Sequence, residues 1–202
     1  MADPLRESDL DPNPVEQFTR WYEEARKVAV GDDTAMTLAT ATPEGQPSAR
    51  IVLLKEYDDK GFVWFTNYGS RKSDELGMNA KAALLFWWPN RREQVRIEGE
   101  VEKISAIESD GYFASRGRMS QLGAWASVQS RPLESREELE ERVKMFERDF
   151  EGKEIPRPPH WGGFRLVPHA FEFWRDGEAR LHDRFRYEKD EDGNWDITRL
   201  NP

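Results

Sequence analysis

The side chains with the clearest chemical potential are cations grouped at short spacings. Arg180-Leu181-His182-Asp183-Arg184 carries a basic residue at every second position. Read as a strand, this run turns Arg180, His182 and Arg184 to one face, with neighbours roughly 6.6 Å apart. Such a row repels itself unless an anion or solvent relieves it, and a solvated basic face would have the same sequence. Asp183 points the other way, and Trp174 falls at the end of the partner strand. Ser70-Arg71-Lys72 forms a second group. If Ser70 caps a helix, both cations stand in a first turn where the helix dipole is already positive, which is unfavourable by a few tenths to ~1 kcal/mol. A phosphate there would reverse the sign and take up free backbone N–H groups. A solvated helix start is the plain alternative.

Two further constellations are weaker when taken alone. Arg50 and Lys55 bracket the apolar run Ile51-Val52-Leu53-Leu54, a pattern that also marks where a strand leaves a core. Tyr112, Arg116 and Ser120 share one helix face if a helix continues through Gly117, and all three can donate to a phosphate. Several anion-site candidates on one chain suggest more than one phosphate. The aromatic clusters Phe86-Trp87-Trp88 and Phe171-Glu172-Phe173-Trp174 read first as core or interface, with Trp174 the more open question because it adjoins the basic run.

Other chemistries lack their residues. The chain has no cysteine, so disulfides, thiolate metal sites and cysteine nucleophiles are excluded. His160, His169 and His182 have no metal-ligand spacing. No GxGxxG, Walker, HExxH or GxSxG pattern occurs. With 30 basic against 39 acidic residues and a net charge of -9, non-specific nucleic-acid binding, which rests on phosphate neutralisation, is a poor fit. Any anion site must be a local cluster on an acidic background.

The elements that would position these groups follow from pattern. At 202 residues, 12% of them aromatic, the chain can bury one substantial core. Residues 1–12 are acidic and proline-containing and read as a mobile N-terminal arm; residues 13–202 read as a single domain. The polar start is not a signal peptide, and no apolar run is long enough to span a membrane, so the expected location is cytoplasmic. Asn13 and Pro14 open a helix, with Val15, Phe18, Tyr22 and Ala25 on its apolar face. Strands are predicted at 35–41, 48–57, 62–67, 82–88 and 94–104, then at 163–167, 170–174, 181–187 and 195–200. Helices are predicted from Ser70 to near Gly77, after Ser105, over 118–126 and over 134–150. The fold class is therefore mainly β with inserted helices, antiparallel, with a small closed barrel as the form that removes exposed edges.

The chain resembles the pyridoxine/pyridoxamine 5'-phosphate oxidase family from about Pro14 to Pro202. The resemblance is carried by Arg50 through Lys55, Thr66-Asn67 through Gly69-Ser70-Arg71-Lys72, Gln121 through Trp125, Trp161 through Arg165, Phe171 through Trp174, Arg180 through Phe185, and Trp195 through Leu200. It implies an FMN-binding split β-barrel, homodimeric, with FMN held between subunits. It also implies FMN contacts from Arg50, Lys55, Phe65, Thr66, Arg71, Lys72, Gln94, Gln129, Ser130, Trp174 and Arg184. The substrate would meet Lys55, Tyr112, Arg116, Ser120, Arg180 and His182, with Arg180 and His182 orienting the reacting ring as catalytic residues. The implied reaction oxidises pyridoxine 5'-phosphate or pyridoxamine 5'-phosphate to pyridoxal 5'-phosphate. A hydride passes from C4' to flavin N5, and dioxygen reoxidises the flavin to give hydrogen peroxide. The N-terminal arm is shorter and more acidic here than is usual in the family, which puts lid closure by that segment in doubt. Another flavin- or deazaflavin-dependent enzyme on the same barrel, or a non-catalytic binder of FMN or pyridoxal phosphate, are the competing readings.

Overall fold

The computed structural model describes residues 4–202. Among them, nine strands join in one antiparallel sheet, accompanied by five α-helices. The strands are β1 (Ala35–Ala41), β2 (Pro47–Leu53), β3 (Glu56–Asp58), β4 (Gly61–Asn67), β5 (Lys81–Trp88), β6 (Glu93–Lys103), β7 (Trp161–Arg175), β8 (Asp183–Lys189) and β9 (Trp195–Arg199). The helices are α1 (Pro14–Lys27), α2 (Arg71–Met78), α3 (Ala106–Ser115), α4 (Arg118–Ala126) and α5 (Arg136–Asp149).

The strand order is β2-β1-β5-β6-β7-β4-β3, with β8 also on β7 and β9 outside β8. The fork lies in β7. Its first half, Trp161 to Leu166, pairs with β4, and its second half, Ala170 to Arg175, pairs with β8. Opposite both halves runs β6. The two segments expected at 163–167 and 170–174 are thus one strand, kept continuous past Pro168 by a register shift between Glu98 and Gly99. A Cβ on Gly99 would stand 2.2 Å from Val167 O, so the close approach at the bulge requires glycine.

Period-two alternation sends Met36, Leu38, Phe86, Val95, Ile97, Phe171 and Phe173 into the interior. Helix α1 fills that interior. Asn13 Oδ1 caps it by accepting from Val15 N–H at 2.8 Å, and Phe18 packs 5.0 Å from Phe62 and 4.9 Å from Phe86, ring centre to ring centre. Trp21 meets Phe173 at 5.3 Å. Truncating the fully buried Phe18 to Ala would cost about 3–5 kcal/mol.

Two further expectations needed revision. The strand read over 48–57 breaks after Leu53, because the chain crosses there from β1 to β4: Leu54 N–H donates to Thr34 O (2.8 Å) and Lys55 N–H to Val63 O (2.9 Å). Lys55 is held at that crossing. Of the N-terminal segment, Met1 to Asp3 lie outside the described residues. Residues 4–12 lie against β8 and β9 instead of projecting. Leu5 is buried, its N–H donates to Asp183 Oδ2 (2.8 Å) and its carbonyl accepts from Arg199 (2.7 Å). Tyr187 Oη donates to Asp11 O at 2.8 Å. The acidic composition of this stretch masked its apolar anchors, Leu5 and the partly buried Leu10. Among the described residues, no helix is long and apolar enough to cross a membrane.

Candidate functional site

A cavity of about 700 Å³ opens between β2, β4, the start of α2 and the α3–α4 junction. Arg50, Lys55, Lys72 and Arg116 line it, and no carboxylate does. On a chain of net charge -9, four cations around one cleft without an acid form a concentrated positive field.

One end is built by β4 and α2. Ser70 occupies the N-cap position but does not cap; its hydroxyl donates to Asn67 O at 2.7 Å. The first N–H groups of α2 have no partner inside the helix. Lys72 is nearly buried. Its Nζ donates to Gln129 Oε1 (2.7 Å), Thr66 Oγ1 (3.0 Å) and Ser70 Oγ (3.2 Å). Burial, helped by nearby Arg50, pulls the Lys72 ammonium down to about 8. Arg71 turns outward and is anchored through Nε to Glu75 Oε1 at 2.8 Å.

The other end is built by α3 and α4. The helix read from Tyr112 to Ser120 is two helices, broken because Arg116 leaves helical geometry (ψ 145°) and Gly117 starts the next one. The break still delivers Tyr112, Arg116 and Ser120 to the same cavity. The Arg116 guanidinium lies 4.7 Å from the centre of the Trp161 ring and 5.6 Å from that of Phe113, a cation–π placement that neutralises no charge. Its Nη1 is buried and has no hydrogen-bond partner, and burial lowers its pKa. Phe65 stacks on Tyr112 at 3.9 Å and on Trp161 at 5.4 Å, forming one aromatic wall.

The remaining expected residues lie elsewhere. Gln94 pairs with Trp174, and Trp174 with Arg184, across β6, β7 and β8. Trp174 contacts half-exposed Trp87 at 6.1 Å and His182 at 4.6 Å. The expected one-faced row of Arg180, His182 and Arg184 does not form, because β8 begins only at Asp183. Before it, Ala179 and Arg180 adopt left-handed backbone (φ 51° and 66°) in a tight turn. Gly177 approaches Leu181 O there so closely that a Cβ would stand 1.9 Å away. Arg180 is exposed. His182 Nδ1 accepts from Gly177 N–H at 3.1 Å and lies 2.9 Å from Asp176 Oδ1. Arg184 is bound by Glu172 at 2.8 Å. Ser130 follows Gln129 in an exposed left-handed turn (φ 67°). Of the expected set, then, the cavity gathers Arg50, Lys55, Phe65, Thr66, Lys72, Tyr112, Arg116, Ser120 and Gln129. Gln94, Trp174, His182 and Arg184 form a second group on the sheet's outer face.

Sequence reasoning gave no role to Trp161, Ser127 and Asn67, which also line the cavity, or to Glu75. Glu75 could have been suspected from its place four residues after Arg71. Nothing local marks Ser127. Among the described residues, no cluster of three His, Cys, Asp or Glu could hold a metal.

A forked antiparallel half-barrel beside a cationic cleft lined by no carboxylate defines the class: a split-barrel protein. Comparison narrows it. Residues 22–147 match the family model described as pyridoxamine 5'-phosphate oxidase, and residues 161–202 match that of the pyridoxine 5'-phosphate oxidase C-terminal dimerisation region. The chain belongs to the pyridoxamine 5'-phosphate oxidase family. A pyridoxine/pyridoxamine 5'-phosphate oxidase of Bordetella pertussis is 57% identical over 198 residues, covering 98% of this chain and 93% of that one. Its namesake from Trichormus variabilis is 54% identical over 198 residues, covering 98% and 92%. Among solved structures, PhzG from Burkholderia lata, in complex with tetrahydrophenazine-1-carboxylic acid, superposes with a TM-score of 0.92 at 33% identity, covering 100% of this chain and 99% of that one.

Proposed function

We propose that this protein is an FMN-dependent oxidase that converts pyridoxine 5'-phosphate and pyridoxamine 5'-phosphate to pyridoxal 5'-phosphate. The observation that carries the reading is the cleft lined by four cations and no carboxylate. The buried, unpartnered Nη1 of Arg116 sharpens it, since a buried donor without an acceptor is retained where a ligand supplies one. The donor set also suits FMN. Lys72, Arg71 and the free N–H groups of α2 can hold a terminal phosphate, with Arg50, Lys55, Thr66 and Gln129 around the remainder. Tyr112, Arg116 and Ser120 are then left to grip the 5'-phosphate of the substrate.

FMN held by these residues would supply the redox chemistry, a two-electron transfer from substrate C4' through the flavin to dioxygen, with hydrogen peroxide as the second product. The protein's part is placement. Arg116 and its neighbours fix one end of the substrate, the aromatic wall limits its tilt, and Lys55 stands at the crossing between β2 and β4. Gln94, Trp174, Arg180, His182 and Arg184 complete the site only from a second copy, because within one chain they lie outside the cavity. The half-exposed Trp87 and the exposed Ile51, together with the match to a dimerisation region, support that homodimer.

The test is anaerobic mixing of the FMN-loaded protein with pyridoxine 5'-phosphate. The flavin absorbance should bleach and return on admitting air, with release of peroxide. A flavin that stays oxidised would end the proposal. Bleaching by tetrahydrophenazine-1-carboxylic acid in place of the phosphate ester would move the protein toward the role of its 33%-identical structural neighbour.

A further inference from the structure

Glu75 lies outside the cavity and takes no part in the reading above, yet it is among the most heavily engaged carboxylates of the molecule. It is 2% exposed. Its Oε2 accepts from Thr40 Oγ1 (2.5 Å) in β1 and Ser48 Oγ (2.5 Å) in β2, and lies 3.3 Å from Arg50 Nη2. Its Oε1 accepts from Arg71 Nε at 2.8 Å. One carboxylate thus ties α2 to the two strands beside it.

The two arginines depend on it unequally. Arg50 also donates to Leu38 O (3.1 Å), Thr40 Oγ1 (2.6 Å) and Ser48 Oγ, so its orientation survives without Glu75. Arg71 makes no hydrogen bond among the described residues other than the one to Glu75. That bond uses Nε and leaves both terminal nitrogens free at the first position of α2, next to Lys72. Anchoring at Nε restricts the swing of this largely exposed guanidinium and leaves its fork of terminal N–H groups open to a phosphate. The carboxylate also offsets repulsion between two neighbouring guanidinium ions. Burial alone would raise its pKa, but hydrogen bonds from Ser48, Thr40 and Arg71 outweigh this and bring it down to about 2. Its charge is therefore constant across working pH.

We infer that Glu75 is a positioning residue for the cofactor phosphate, acting through Arg71: it fixes the guanidinium so that its terminal N–H groups face the anion bound at the start of α2. This rests on the FMN reading above and adds to it a residue that touches no ligand.

The test measures release of FMN on dilution of the holoprotein, followed by the return of flavin fluorescence. Glu75→Gln keeps the shape and the hydrogen bonds to Thr40 and Ser48 but loses the charge. It should weaken FMN affinity about tenfold, while KM for pyridoxine 5'-phosphate at excess FMN changes less than twofold. Arg71→Ala should weaken FMN by at least as much, and adding Glu75→Gln to it should cost nothing further, the non-additivity expected of residues acting as a unit. Arg71→Lys leaves Glu75 its hydroxyl donors and guards against a misfolded first variant. Because a lysine cannot serve carboxylate and phosphate through separate nitrogens, it should bind FMN as weakly as Arg71→Ala. Additive losses, wild-type affinity in Glu75→Gln, or full retention in Arg71→Lys would each overturn the inference while the oxidase reading stands. A wild-type protein that binds no FMN would remove both.

Discussion

The cavity and the outer face of β6–β8 both concentrate cations, and they treat them in opposite ways. On the outer face the arginines of β6 and β8 meet carboxylates. Arg96 and Arg184 share buried Glu172 at 2.6 and 2.8 Å, and Arg186 meets Glu98 and Glu188. In the cavity, Lys72 and Arg116 have no carboxylate at all. A buried cation without a counter-charge costs stability, and a paired one costs little. Within one chain the outer-face guanidinium groups are thus charge-balanced, whereas Lys72 and Arg116 in the cavity are not. The uncompensated charge of Lys72 and Arg116 within one chain, more than positive charge as such, points to a bound anion.

The largest expected effect that tests this contrast is at Arg116. Arg116→Ala removes charge-assisted bonds to the substrate phosphate worth about 3 kcal/mol, roughly 150-fold in KM, with a smaller change in kcat. Stability of the ligand-free protein should hold or rise, because an unsatisfied donor disappears. Unchanged KM would take Arg116 out of the phosphate site.

Glu172→Gln attacks the other region. Two guanidinium groups would lose their shared carboxylate in a nearly buried setting, at a cost of about 3 kcal/mol, which lowers Tm by roughly 6–12 °C. A thermal shift no larger than that of Arg116→Ala would erase the distinction between the two regions.

A smaller effect is the pH dependence set by Lys72. Its folded-state value of about 8 lies below the ordinary 10.5, so between those values the unfolded chain binds more protons. Stability of the ligand-free protein should therefore rise with pH across that window. Affinity for FMN should do the reverse. Phosphate favours the ammonium form and raises its pKa, so binding is full below about pH 8 and weakens as pH climbs through it. Melting curves and FMN titrations on one pH series check both signs, and Lys72→Met should flatten both.

Much of the scaffold was legible in the chain. The apolar face of α1, the capping box formed by Ser105 and Glu108, and the alternation in β1 and β6 are local signals, and the elements formed where those signals lie. The errors share a cause. The break after Leu53, the fusion of two short runs into β7, and the burial of Leu5 are each decided by a partner distant in sequence. The site divides in the same way. Arg50, Lys72 and Arg116 could be named from residue type, spacing and family resemblance. The row Arg180, His182 and Arg184 failed as a strand because a close approach at Gly177 forces a left-handed turn, which spacing cannot reveal.

The sequence by itself determined that this would be an acidic, cysteine-free, mainly antiparallel β protein with several basic clusters, because composition and periodicity act over a few residues. Only the tertiary structure decided which clusters carry uncompensated charge. Whether a cation meets a carboxylate depends on strands and helices from remote parts of the chain arriving side by side, and electrostatic energy depends on that distance in space, not on separation along the chain.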